Sequence, residues 1–180
     1  WNEFTRLVVE ELIESGQKVA VITESKENVD LIYNQFSKAQ IFVLFAELQN
    51  VSKFHNAGIN RAANVLLSPE TDTNALVSLL KISEEYPQPE YVVAIRDLDL
   101  TSTLKNAGAR HVVARYESSA GLIASQIFEP DSAQYLNDLM TSSRNGEDHE
   151  FQQYYIIPDS DFVDREYGAV FKEIYSKTRC

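Results

Sequence analysis

Between Glu47 and Tyr116 the chain states one unit twice, and that repetition limits the folds open to it more than any other feature. The first copy runs Phe54-His55-Asn56-Ala57-Gly58 and reaches the apolar run Val65-Leu66-Leu67; the second runs Leu104-Lys105-Asn106-Ala107-Gly108 and reaches Val112-Val113-Ala114. In each, a short amphipathic helix ends on a glycine, the residue that takes a left-handed conformation without a Cβ penalty. The strand that follows is apolar without alternation, which fits a parallel strand covered on both faces. A unit of helix, glycine stop and buried strand builds an α/β sheet.

The flanking segments carry the same alternation. Phe4, Leu7, Val8, Leu12 and Ile13 recur at helical spacing up to Gly16, Val19 to Ile22 reads as a strand, and Asn28 to Ser37 as a helix. Ile41 to Phe45 is a further strand and Val51 to Asn56 a short helix. After Ser68-Pro69 a helix is expected from about Glu70 to Glu85, with proline at its start and Glu70 and Asp72 complementing its dipole. Pro87-Gln88-Pro89 ends it, Tyr91 to Ile95 is the next strand, and Asp97 and Asp99 lie at its exit. Strands alternating with helices predict a Rossmann-like parallel sheet with helices on both faces.

Beyond Tyr116 two apolar helical stretches follow one another, carrying Leu122, Ile123 and Ile127, then Tyr135, Leu136, Leu139 and Met140, with Pro130 between them. Neither has a strand of its own to cover. Such faces either pair with a second copy or fold back on the lobe. The polar run Ser142 to Asp148 is a linker, and the strand Gln152 to Ile157 with a helix near Tyr167 to Tyr175 is expected to begin a second lobe. The expected organisation is a Rossmann-like lobe over 1–116, crossover and dimerisation helices over 117–144, and a linker with the start of a small α+β lobe over 145–180.

Composition excludes several classes. A net charge of -11 leaves no basic stripe for nucleic-acid phosphates, and a single cysteine, Cys180, allows neither an internal disulfide nor a thiolate metal site, as expected of an intracellular chain. No run approaches the ~20 apolar residues that span a bilayer. Catalysis has little to rest on: His55, His111 and His149 are scattered, no His pair has metal-ligand spacing, and Ser118-Ser119 lies in no nucleophile elbow. The expectation is a chain that is not an enzyme.

The order of elements, the recurring Asn-Ala-Gly, the Ser68-Pro69-Glu70-Thr71-Asp72 turn and the Ser119-Ala120-Gly121-Leu122-Ile123-Ala124 helix resemble the RCK domain, the regulator of potassium conductance. The resemblance implies a cytosolic, ligand-sensing domain that dimerises, assembles into a ring and gates a potassium channel pore in the same or another chain. That places it at the cytoplasmic face of the cell membrane. A cytosolic subunit of a potassium uptake system and a nicotinamide-dependent oxidoreductase are the alternatives. The family's first strand and first fingerprint glycine would precede Trp1, which places the second and third glycines of G-x-G-x-x-G at Asn2 and Thr5, whose side chains obstruct a pyrophosphate. Glu24 matches the acid that binds a ribose hydroxyl, or is a solvated turn residue; Glu47 matches the acid after the third strand, or is a plain strand-exit residue. Against calcium-gated relatives, the comparable positions are Ser68, Ile95 and Asp97, with Glu70, Asp72 and Asp99 nearby. The implied ligands are thus Ca²⁺ or another divalent cation, bound weakly, or an adenine nucleotide.

Overall fold

A computed structural model describes residues 1–48, 50–128 and 160–178. The chain divides into two compact units, Trp1–His149 and Glu150–Cys180. Among the described residues no helix is long and apolar enough to cross a membrane.

The first unit alternates as its apolar periodicity demands. Helix α1 (Glu3–Glu14) leads to β1 (Val19–Thr23), α2 (Lys26–Gln35) and β2 (Ile41–Phe45). Two short 3₁₀ turns, Val51–Ala57 and Ile59–Arg61, precede β3 (Asn64–Leu67); α3 (Asp72–Glu85), β4 (Glu90–Ile95), a 3₁₀ turn at Leu98–Leu100, α4 (Thr101–Asn106), β5 (His111–Ala114) and α5 (Glu117–Phe128) follow. All pairings among the described residues are parallel: β1 pairs β2 with Val19 opposite Ile41, and β4 lies between β3 and β5 with Val93 opposite both Leu67 and Val112. The two copies of the repeated unit therefore deliver the strands that flank β4. Among the described residues the two ladders are not hydrogen-bonded to each other.

Side-chain alternation in β1 and β2 puts apolar residues on both faces, although Phe42 and Phe45, like Leu66 and Val113 of the repeated strands, stay partly exposed, so the expected full cover of both faces is incomplete. Val19, Val21, Ile41 and Val43 pack with Val9 of α1 and Ile32 of α2, whereas Ile22 and Leu44, on the opposite face, join Phe54, Leu67, Leu79, Val93, Ile95 and Leu104. This larger cluster is the main core. It unites the two ladders by apolar burial, and each fully buried Leu, Ile or Phe there contributes about 1.5–3 kcal/mol.

Two expectations change in detail. The first repeated helix is 3₁₀, and Gly58, at φ 77°, leads into a second 3₁₀ turn before the strand; Gly108, at φ 107°, leads to β5 directly. Helix α3 starts at Asp72, not beside Pro69, because Thr71 is its N-cap and accepts the Asn74 N–H at 3.2 Å. The expected helix bearing Tyr135, Leu136, Leu139 and Met140, the linker and the strand from Gln152 lie outside the described residues. In the second unit, α6 (Tyr167–Thr178) stacks Tyr167 on Phe171 with ring centroids 6.1 Å apart.

Candidate functional site

The carboxyl ends of the parallel strands gather most of the residues singled out from sequence. Open α/β sheets bind ligands at that edge because strand exits and helix N-termini converge there. Asn2 and Thr5 form the first turn of α1, where they act on each other. Asn2 Oδ1 accepts the Thr5 N–H and Thr5 Oγ1 accepts the Asn2 N–H, both at 3.0 Å. This reciprocal capping box satisfies two of the helix donors that an anion would otherwise find. Arg6, one position on, is held by Glu3 at 2.6 Å and Glu10 at 2.8 Å, and its guanidinium draws the exposed Glu3 carboxyl below its usual range.

Glu24 leaves β1 and accepts the Leu48 N–H at 2.6 Å through Oε1, so its carboxylate is fixed over the exit of β2 beside the exposed Glu47. Its Oε2 makes no hydrogen bond among the described residues, which leaves an acceptor free for a hydroxyl. The structure brings Glu24 and the Glu47–Leu48 segment together.

On the β3–β5 side the acids serve the backbone. Asp72 accepts the Arg96 N–H at 3.1 Å and the Asp97 N–H at 2.8 Å, joining the start of α3 to the exit of β4. Asp97 in turn accepts the Asp99 N–H at 3.0 Å. Glu70 and Asp99 are exposed. Among the described residues no three His, Cys, Asp or Glu side chains group closely enough to hold a metal ion. Ser68, just after β3, has a buried hydroxyl without a hydrogen-bond partner among the described residues.

One residue at this edge was missed from sequence. Arg115 follows β5 and is only 8% exposed. Its Nη2 donates to the Pro69 carbonyl at 2.6 Å and to the Ala94 carbonyl at 3.2 Å, and its Cζ lies 5.7 Å from the centre of the Phe4 ring. The repeat carried the signal: aligning Val65-Leu66-Leu67-Ser68 with Val112-Val113-Ala114-Arg115 puts Arg115 where the first copy has Ser68.

Leu122 of α5 is half-buried, while Ile123, Ile127 and Phe128 are 62%, 71% and 82% exposed. The helix presents exposed apolar surface among the described residues.

With fold and edge in place, the family follows. Residues 1–115 match the model of the TrkA-N domain. The chain belongs to the TrkA-N domain family. The match ends at Arg115, so it covers the whole repeated α/β region, and it bears out the resemblance to an RCK-type domain. Comparison with curated protein sequences finds no match. Among solved structures, the TrkA-N domain of the inner membrane protein ybaL from Escherichia coli is similar at a TM-score of 0.60 and 17% identity, covering 70% of this chain and 90% of that one. The NAD(P)-binding domain of an exopolyphosphatase-related protein from Archaeoglobus fulgidus is similar at 0.59 and 19%, covering 69% and 90%. A GsuK channel bound to NAD is similar at 0.55 and 15%, covering 63% of this chain but only 20% of the channel chain. These likenesses establish the Rossmann-like fold of the TrkA-N domain.

Proposed function

We propose that this TrkA-N domain is a cytosolic, non-enzymatic sensor of adenine nucleotides that regulates potassium movement through a membrane protein. The observation that carries the reading is Glu24: a carboxylate held at the exit of β1 by the Leu48 N–H, with one oxygen free to accept a ribose hydroxyl. Similar structures described as bound to NAD and to ADP support the ligand class. The capping box of Asn2 and Thr5 selects within it. Side chains stand where glycine backbone would approach a pyrophosphate, so a mononucleotide is favoured over a dinucleotide.

Regulation requires that the nucleotide bind two arrangements of the assembly with different affinity. The exposed apolar face of α5 supports pairing of two copies as the element that moves, with the described part Leu122, Ile123 and Ile127 at its centre and a channel pore as the partner that responds. A ring of such pairs at the cytoplasmic face of the membrane is the assembly that the resemblance implies.

Isothermal calorimetry with AMP, ADP and NAD⁺ tests the reading. AMP or ADP is expected to bind, Glu24→Ala to weaken that binding, and NAD⁺ to bind weakly. Micromolar NAD⁺ binding abolished by Glu24→Ala would reverse the mononucleotide preference, and turnover of a nicotinamide cofactor would return the oxidoreductase.

A further inference from the structure

Three buried side-chain polar atoms among the described residues have no hydrogen-bond partner: Ser68 Oγ, Thr101 Oγ1 and Arg115 Nε. Buried polar groups are almost always paired, so each needs a reason. All three belong to segments that leave the carboxyl ends of β3, β4 and β5.

Arg115 is the exceptional one, because it carries a charge. Among the described residues its guanidinium hydrogen-bonds only through Nη2, to two neutral carbonyls, and no carboxylate pairs with it. Of the acids in the adjoining turn, Glu70 is exposed and Asp72 is engaged by the N–H groups of Arg96 and Asp97. The ring of Phe4 lies against the guanidinium. The donors left over are Nε–H and those of Nη1. A buried cation in a chain of net charge -11, unpaired and with donors to spare, is a site for an anion. The first turn of α1, to which Phe4 belongs, cannot serve instead: Asn2 and Thr5 cap it, and Glu3 and Glu10 neutralise Arg6.

We propose that Arg115, together with Ser68 of the turn whose Pro69 carbonyl it holds, binds a phosphate group of the ligand from the β3–β5 side of the carboxyl edge. Guanidinium donates charge-assisted hydrogen bonds to phosphate oxygens, and the serine hydroxyl donates one more. The assignment rests on the nucleotide reading and deepens it: the phosphate is recognised by a side chain from the second copy of the repeat, in place of the glycine backbone that α1 lacks.

The test compares AMP, adenosine and inorganic pyrophosphate on the full 180-residue chain by calorimetry and thermal shift. AMP is expected to bind at least about 10-fold tighter than adenosine, as hydrogen bonds to a charged group imply. Arg115→Gln should bring that ratio to within about twofold while leaving adenosine affinity unchanged. A wild-type ratio near one, or a ratio that survives Arg115→Gln, overturns the assignment while leaving nucleoside binding intact. Should neither AMP nor adenosine bind, stabilisation by pyrophosphate that Arg115→Gln abolishes would retain the anion site and sink the nucleotide reading; no effect of pyrophosphate would sink both. If Arg115→Gln fails to fold, Arg115→Lys and Ser68→Ala decide. Each should lower AMP affinity several-fold with adenosine unaffected, and an unchanged ratio in both overturns the proposal.

Discussion

Asp72 shows how one side chain joins two elements. Placed in the first turn of α3, it complements the helix dipole as its position in the sequence implies, yet its carboxylate also accepts the N–H groups of Arg96 and Asp97 at the exit of β4. Asp72→Ala leaves both donors without that acceptor, and a loss of about 1–3 kcal/mol in urea unfolding, with an unchanged slope, is expected. Tyr91 offers a second residue-scale test. Its buried hydroxyl donates to the Tyr86 carbonyl, and burial pushes its pKa up to about 12 from 10.0. The neutral form is the one the fold prefers, so this stabilisation is complete below pH ~10 and is lost as pH rises through the folded value. Thermal melts should therefore show a fall between pH ~10 and ~12 that Tyr91→Phe diminishes.

The repeated unit acts at the scale of elements. Its glycines stop two helices at φ 77° and 107°, where an L side chain is strained whatever the surrounding space. Gly108→Ala meets no atom within 4 Å, so any loss it causes is conformational. Differential scanning calorimetry should show about 1–2 kcal/mol lost, and an unaltered melting temperature would count against a strained stop at this position. The exposed face of α5 makes a different prediction. If Ile123 and Ile127 are buried between copies, replacing both by Asp should give monomers in sedimentation without a change in the circular dichroism of the lobe; a variant that stays dimeric assigns the contact to another surface.

At the scale of the whole molecule, the charge of -11 and the acids around the β4 exit raise the question of cations. Asp97 uses its Oδ1 as a cap and Asp72 serves the backbone, which leaves few oxygens for an ion that prefers six to eight. Any divalent stabilisation is expected only at roughly high-micromolar to millimolar Ca²⁺ and centred on Asp97. Asp97→Asn should remove it and Asp30→Asn, at an exposed position of α2, should not; stabilisation at submicromolar Ca²⁺ would place the cation elsewhere. Much of the lobe was legible beforehand because apolar runs and glycine stops are local signals: Ile41 to Phe45 is a strand as expected, and α1 ends just before Gly16. The composition and repeat by themselves determined an alternating α/β chain, since buried parallel strands have no other way to satisfy their faces. Only tertiary structure decided that the two repeats flank β4, that Asp72 turns to backbone N–H groups, and that Arg115 lies buried against Phe4 without a carboxylate partner among the described residues. Those outcomes depend on contacts between residues tens of positions apart, which periodicity along the chain does not encode.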